Sequence, residues 1–401
     1  MAISCLTQEA YIVGMLLERV REELPHVKIV MGNLHSSLFA DYYLKKGLAD
    51  IVVNGEGEEV MVEVVKAFRE GAGFGHIEGI SIMEEGKFIQ KKSVKVENLD
   101  SLPFPAWEIA PLDKYRSHFY YNFNPKRTRI MITSRGRPIG CSFCSIHEGQ
   151  KVRYQSTERI LEEIEILKRD YGTTHINFLD PMFLSRKSRV REICEGLLKE
   201  NIDIRWACEA HVNYADDELF ALMRRAGCET MFFGVESGND ELLRGIGKRT
   251  TTKQIEKAIL LTRRNKIKPV GFFMLGLPGE TEDMTKKTID FSTKLPLDMA
   301  VFSITVPYPG SQMFEDLKAK DKNFDPYNWN GFNNTGILGR HPPVWSPNEM
   351  SYESLKNYQA LAMRQFHFRP MMVWRHVKTF KYATFEDIKS LFNVARMVLP
   401  F

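Results

Sequence analysis

Arg129-Ile-Met-Ile-Thr133-Ser-Arg-Gly-Arg-Pro-Ile-Gly-Cys141-Ser-Phe-Cys144-Ser-Ile-His147 decides how this chain is read. Its first five residues form a short apolar run of β type. Gly136, Pro138 and Gly140 then stop the strand and allow tight turns. Cys141 and Cys144 follow as a C-x-x-C pair on that loop. Two thiolates so spaced can hold adjacent irons of an iron–sulfur cluster or supply half a zinc site. A redox pair and two inert thiols are the alternatives. A metal is expected from context, because α/β barrels place their chemistry on loops at the C-terminal ends of strands.

Downstream, the pattern repeats. Apolar strand-like runs at Arg129–Thr133, His175–Leu179, Ile204–Cys208, Thr230–Val235, Val270–Leu275 and Met299–Val306 alternate with helical patterns. Those patterns cover Thr157–Tyr171, Arg186–Glu200, Asp217–Ala226, Thr252–Asn265 and Glu282–Lys294. Six βα units are too few for a closed eight-stranded barrel and predict a partial (β/α)6 TIM-like barrel over residues 126–325. Upstream, Ala2–Leu6, Val27–Met31 and Asp50–Val53 read as strands of a parallel, doubly wound, Rossmann-like domain over residues 1–95. Glu9–Glu23, Phe39–Lys46 and the segment from Gly55 to Arg69 are its helices, and Ile77–Met83 with Lys87–Gln90 a final strand pair. The series opens abruptly on a buried-type strand, so the domain is expected to be incomplete, its first part missing. Residues 96–125, with Pro103, Pro105 and Pro111, read as a linker. Residues 326–401 read as a helical C-terminal extension with an amphipathic helix at Asn348–Phe368.

Composition narrows the function. Of 401 residues, 43% are hydrophobic and 26% charged, which excludes a disordered or low-complexity chain. A formal net charge of +4 gives no reason to expect nucleic acid. Six cysteines are too sparse for a disulfide scaffold. No apolar run reaches the ~18 residues of a membrane span, and the start lacks a signal peptide's features, so a cytoplasmic protein without a transmembrane segment is expected. Cys5, Cys194, Cys208 and Cys228 lie at no regular ligand spacing and are expected in the core. The aromatic and basic stretch Arg364–Lys381 is expected to be a solvated helical cap.

The cysteine loop resembles the cluster loop, C-x-x-x-C-x-x-C, of radical S-adenosylmethionine (radical SAM) enzymes, in the subclass with an N-terminal cobalamin-binding domain. The resemblance extends through Gly55-Glu-Gly-Glu-Glu, Leu102-Pro-Phe-Pro-Ala-Trp107 and Phe178-Leu-Asp-Pro-Met-Phe183. It continues through Gly234-Val-Glu-Ser-Gly238, Met274-Leu-Gly-Leu-Pro-Gly-Glu280 and Thr305-Val-Pro-Tyr-Pro-Gly310. It implies a [4Fe–4S] cluster held by Cys141 and Cys144, S-adenosylmethionine as cosubstrate and cobalamin as a further candidate. It also implies a small-molecule substrate and an external electron donor of flavodoxin or ferredoxin type. Reductive cleavage of S-adenosylmethionine would then drive radical methylation, cyclisation or rearrangement.

The chain departs from the pattern where it matters most. The family's first cysteine falls on Arg137, which has no acceptor lone pair and stays protonated. Either the enzyme works with a changed cluster, or the chain is a non-catalytic relative that binds S-adenosylmethionine or serves as a partner subunit. His147 is considered as a replacement ligand and read instead as a polar loop residue. The resemblance further marks Phe143, Asp180, His211, Glu236, Ser237 and Gly276 as cofactor contacts at barrel strand ends, with Gly279 beside the last. Gly32, His35, Gly55 and Glu56 fall in the corresponding loops of the cobalamin-type domain. No residue is assigned a catalytic role.

Overall fold

The computed structural model describes residues 1–114, 127–138, 140–145, 151–332, 342–347 and 349–370, with 372 and 374. Two α/β layers carry the architecture. The first sheet joins β1 (Ala2–Ser4), β2 (Val30–Gly32), β3 (Ile51–Val53), β4 (Ile80–Glu84) and β5 (Lys87–Gln90), in that order. Helices α1 (Ala10–Glu23), α2 (Leu34–Leu38), α3 (Ala40–Lys45) and α4 (Glu58–Glu70) connect and cover it. β1 to β3 are parallel, as a doubly wound domain requires, whereas β4 and β5 add antiparallel to one edge. β4 and β5 are the strand pair expected around Glu85-Gly86: that turn has φ of 49° and 75°, a hairpin geometry that reverses the chain without a crossover helix. β1 lies at the opposite edge with Ala2 and Ser4 exposed, so it is not the buried strand expected.

The second sheet is the partial barrel. Its strands are β6 (Thr128–Met131), β9 (His175–Phe178), β10 (Arg205–Ala210), β11 (Cys228–Glu236), β12 (Lys268–Leu275) and β13 (Met299–Ile304). All are parallel, and their order in space follows their order in sequence. Helices α5 (Thr157–Tyr171), α6 (Lys187–Lys199), α7 (Asp217–Arg225), α9 (Thr252–Arg264) and α10 (Glu282–Lys294) return the chain between strands. α5 shows why these segments fold as they do. Ser156 caps its N-terminus by accepting from the Arg159 N–H, Gly172 closes it with φ of 60°, and Ile160, Ile164 and Leu167 are fully buried along one face. Burying each such side chain contributes roughly 1.5–3 kcal/mol. The core continues through Phe178, Phe183, Trp206, Phe233 and Phe273, all at most 1% exposed.

Elements that escaped the sequence reading include α2, α8 (Asp240–Gly245), the nine-residue helix at Gln312–Lys320, and a hairpin pairing β7 (Ser134–Arg135) with β8 (Arg153–Tyr154). The hairpin brackets the cysteine loop. Beyond the barrel, α12 (Tyr352–His367) packs on β13 and α10, and α11 (Gln312–Lys320) packs Phe314 against Phe39 of the first domain. α12 places Phe366 in the core, and its Gln359 donates to the Phe302 carbonyl at 2.8 Å. Half of Arg364–Lys381 and all of His147 lie outside the described residues. No described helix is long and apolar enough to cross a membrane.

Candidate functional site

The cysteine loop is shaped from three sides. At its entrance, Asp180 ends β9 fully buried and accepts from the backbone N–H groups of Thr133 at 2.6 Å and Ser134 at 2.7 Å, and from the Thr133 hydroxyl. Burial pushes this carboxyl up from its ordinary range, against the pull of Arg189, 4.0 Å away, and of those hydrogen bonds. Both Asp180 oxygens are therefore engaged in turning the chain from β6 into the loop. At its base, Arg135 and Arg153 of the hairpin meet Glu56 at 3.0 and 2.5 Å, and Glu58 reaches Arg135 at 2.5 Å. At its tip, the Ser142 N–H donates to the Ile246 carbonyl at 3.0 Å, and the Ser142 carbonyl accepts from Met313 at 2.9 Å.

Within this frame, Cys141 is buried, Cys144 is half-buried, and both are free thiols. A turn hydrogen bond of 2.9 Å, from the Cys144 N–H to the Cys141 carbonyl, holds them together. Burial pushes the Cys141 thiol up; Lys248 and Arg137 oppose that, while Glu236 and Cys144 add to it. Arg137 does not turn away into solvent. Its Nη1 donates to Cys144 Sγ at 3.2 Å, and its Nε is buried without a hydrogen-bond partner. Phe143, between the cysteines, packs with Leu242, Ile246, Met274, Leu277 and Met284.

The remaining barrel candidates converge on the same end of the sheet. Glu236 ends β11 in a left-handed conformation, φ 63°, beside a register shift against β12. Its carboxylate pairs with Lys248 Nζ at 2.7 Å, and the two side chains are 10% and 4% exposed. Gly234 makes room for the pair: a Cβ there would stand 2.4 Å from Glu236 Oε1 and 2.7 Å from Lys248 Nζ. Ser237 is fully buried and ties β11 to α10 through Thr288 at 3.1 Å. Gly276 has φ of 81°, and Glu280 accepts from the N–H groups of Gly276 and Leu277 at 2.7 and 2.8 Å. His211, at the end of β10, is 7% exposed. Its Nδ1 accepts from the Asn213 N–H at 3.3 Å. Burial first, then the charges of Lys248 and Arg137, lower its pKa to about 4, outweighing the backbone of Lys248, so the ring is neutral.

The first domain's candidates are differently placed. His35 is buried against Phe39, Tyr43 and Trp329, and both ring nitrogens have partners: Thr7 Oγ1 at 3.2 Å and Tyr43 Oη at 3.0 Å. Burial lowers its pKa to about 4. Gly55, φ 93°, passes so close to Val94 that a Cβ would meet its carbonyl oxygen at 2.4 Å. Burial tends to raise the Glu56 pKa, but Arg153, the Val96 N–H and the charge of Arg135 bring it down to about 2. Gly32 stands at the open end of β2, with nothing within 4 Å of a built Cβ. Lys248, Arg153, Thr133, Arg189 and Glu280 were not anticipated as site residues. Only Thr133 and Glu280 had a local signal, within the cysteine-loop stretch and the Met274–Glu280 segment. Cys5, Cys194, Cys208 and Cys228 are all buried free thiols. Among the described residues, no group of three or more His, Cys, Asp or Glu is assembled to hold a metal ion.

A six-stranded partial barrel with a C-x-x-C loop at its mouth, preceded by a Rossmann-like sheet, defines the class. Residues 131–292 match the family model of the radical SAM superfamily. The chain is 30% identical over 373 residues to an uncharacterized methyltransferase of Pyrococcus horikoshii, spanning 92% of this chain and 78% of that protein. It is 29% identical over 371 residues to the anaerobic magnesium-protoporphyrin IX monomethyl ester cyclase of Rubrivivax gelatinosus, covering 90% of this chain but only 65% of the cyclase. The radical S-adenosylmethionine methyltransferase TsrM from Kitasatospora setae, solved with cobalamin and a [4Fe–4S] cluster, superposes with a TM-score of 0.65. That match has 19% identity and covers 92% of this chain and 71% of TsrM. The chain belongs to the radical SAM superfamily, and its fold, a Rossmann-like sheet followed by the partial barrel, is shared with TsrM.

Proposed function

We propose that this chain is a relative of the cobalamin-dependent radical SAM methyltransferases and cyclases that binds S-adenosylmethionine or serves as a partner subunit without cleaving the cofactor reductively. One observation carries this reading: where a three-thiolate loop needs its first sulfur, Arg137 presents a guanidinium that donates to Cys144. A [4Fe–4S] cluster would supply the electron that cleaves the sulfonium, but this donor set does not fit it. Two thiols remain, and a fixed positive charge occupies the third ligand's place and disfavours iron cations there. Cobalamin fits the N-terminal sheet in part. The open end of β2 at Gly32 leaves space, whereas His35 has no nitrogen free for cobalt.

The test is anaerobic reconstitution with iron and sulfide, reading iron content, the reduced-cluster electron spin resonance and 5′-deoxyadenosine release with a flavodoxin- or ferredoxin-type donor. The wild type is expected to hold no stable cluster and release no 5′-deoxyadenosine, and Arg137→Cys to gain about four irons. A wild type with about four irons and turnover restores the enzyme reading, with a small-molecule substrate for methylation, cyclisation or rearrangement.

A further inference from the structure

With arginine in the third thiol's place, Cys141 and Cys144 are left as a pair of free thiols, and the loop holds them together. The Cys144 N–H donates to the Cys141 carbonyl at 2.9 Å, so the two residues are the first and last of a hydrogen-bonded β-turn. Such a turn brings its end Cα atoms within about 7 Å, and a disulfide spans Cα atoms about 4.4–6.8 Å apart. A bond between the two sulfurs therefore asks for little movement of the backbone. The turn is fixed by contacts other than the thiols, through Ser142 to Ile246 and Met313. Among the described residues no third His, Cys, Asp or Glu stands with the pair to hold a metal, so the four donors of a zinc site are not assembled.

The two sulfurs are unequal. Cys141 is 8% exposed, whereas Cys144 is half-buried and is the one a small molecule from solution can reach. Arg137 Nη1 donates to that same sulfur at 3.2 Å. A guanidinium stabilises negative charge on sulfur, and sulfur is negative both when it attacks a disulfide and when it leaves one. Cys5, Cys194, Cys208 and Cys228 are fully buried and stay out of such exchange. We infer that Cys141 and Cys144 form a dithiol–disulfide couple that exchanges with small disulfides, Cys144 attacking, Cys141 resolving and Arg137 stabilising the charged sulfur. Cys144 Sγ, as thiolate, attacks one sulfur of the incoming disulfide, forms a mixed disulfide and expels a first thiolate. Cys141 then gives up its proton, attacks Cys144 Sγ and expels a second thiolate, which closes the internal disulfide. The pair loses two electrons and two protons, and the incoming disulfide becomes two thiols. The inference rests on the cluster-free reading above, because a cluster would occupy both sulfurs.

The test equilibrates the purified full chain anaerobically with glutathione and glutathione disulfide over a series of ratios. Each sample is quenched in acid, alkylated and mapped by mass spectrometry, with iron measured alongside. The peptide carrying Cys141 and Cys144 is expected to lose two hydrogens with a reversible midpoint. Cys141→Ser, which lacks the resolving thiol, is expected to accumulate a glutathione adduct on Cys144, and Cys144→Ser to form none on Cys141. Arg137→Met removes the stabilised charge of the reduced form, so it is expected to shift the exchange equilibrium about tenfold towards the disulfide, equivalent to about 30 mV. A loop that stays reduced throughout, no adduct in Cys141→Ser, an adduct on Cys141 in Cys144→Ser, or an unshifted midpoint in Arg137→Met overturns the inference. If the sample carries about four irons, the cluster-free reading has failed and this inference with it. If it is iron-free and the pair stays reduced, this inference alone has failed.

Discussion

The two halves of the molecule treat their polar groups in opposite ways. In the Rossmann-like half, His35 has a partner on each nitrogen and Glu56 is shared between two arginines and a backbone N–H. In the barrel half, Arg137 Nε is buried with none. His35, Glu56 and His211 were marked from sequence by the family resemblance, and Arg137 as its departure from the family's cluster loop. A buried unsatisfied donor costs about 1–3 kcal/mol, so the satisfied set contributes to the fold what Arg137 Nε does not.

The comparison can be pressed at its strongest point first. Asp180 lies in the barrel half but behaves like the satisfied set, so Asp180→Ala should be severe. It frees two backbone N–H groups and leaves Arg189, 4% exposed, without its carboxylate. Breaking a buried pair of this kind costs roughly 3–5 kcal/mol. Urea unfolding should register that loss, and a change below about 1 kcal/mol would remove Asp180 from the architectural set.

A pH titration of stability separates the two satisfied residues of the first domain. The His35 pKa is lowered from 6.5 to about 4, so its contribution is present above the unfolded value and is lost as pH falls from 6.5 towards 4. The full effect is of order 3 kcal/mol. The Glu56 pKa is lowered from 4.5 to about 2, so its contribution persists above 4.5 and disappears only below, as pH falls towards 2. His35→Gln should flatten the upper window and Glu56→Gln the lower one. If either variant flattens the other's window, the attribution is wrong.

The smallest effect tests geometry. Gly234→Ala places a methyl into the Glu236–Lys248 pair and should cost about 1–3 kcal/mol by forcing it apart. Thermal unfolding of Gly234→Ala alone and together with Lys248→Met would show whether the cost disappears once the pair is gone. Persistence of the full cost in the double variant would place the strain in the backbone instead.

Much of this was legible in the sequence, and the limits have physical causes. The barrel strands and their main helices stood out because each is long enough to show its period. α2 and α8 have five and six residues, and β7 and β8 have two each, too few for any periodicity to register. The candidate residues were findable because they lie at strand ends. Their partners were not, because pairing across the fold leaves no local trace. Glu56 meets Arg153 across 97 residues, and Asp180 meets Thr133 across 47. Arg137 was legible as a missing thiolate, but not as a donor aimed at the sulfur of Cys144.

The clamp on the cysteine loop has an evolutionary consequence. Asp180 at the entrance, Glu56 at the base and the Ser142 backbone at the tip shape this segment using groups that all lie outside position 137. Folding therefore exerts no purifying pressure on that position through these contacts. Cysteine and arginine codons can differ by a single base, so the site's chemistry can drift in one mutational step while the scaffold around it stays intact.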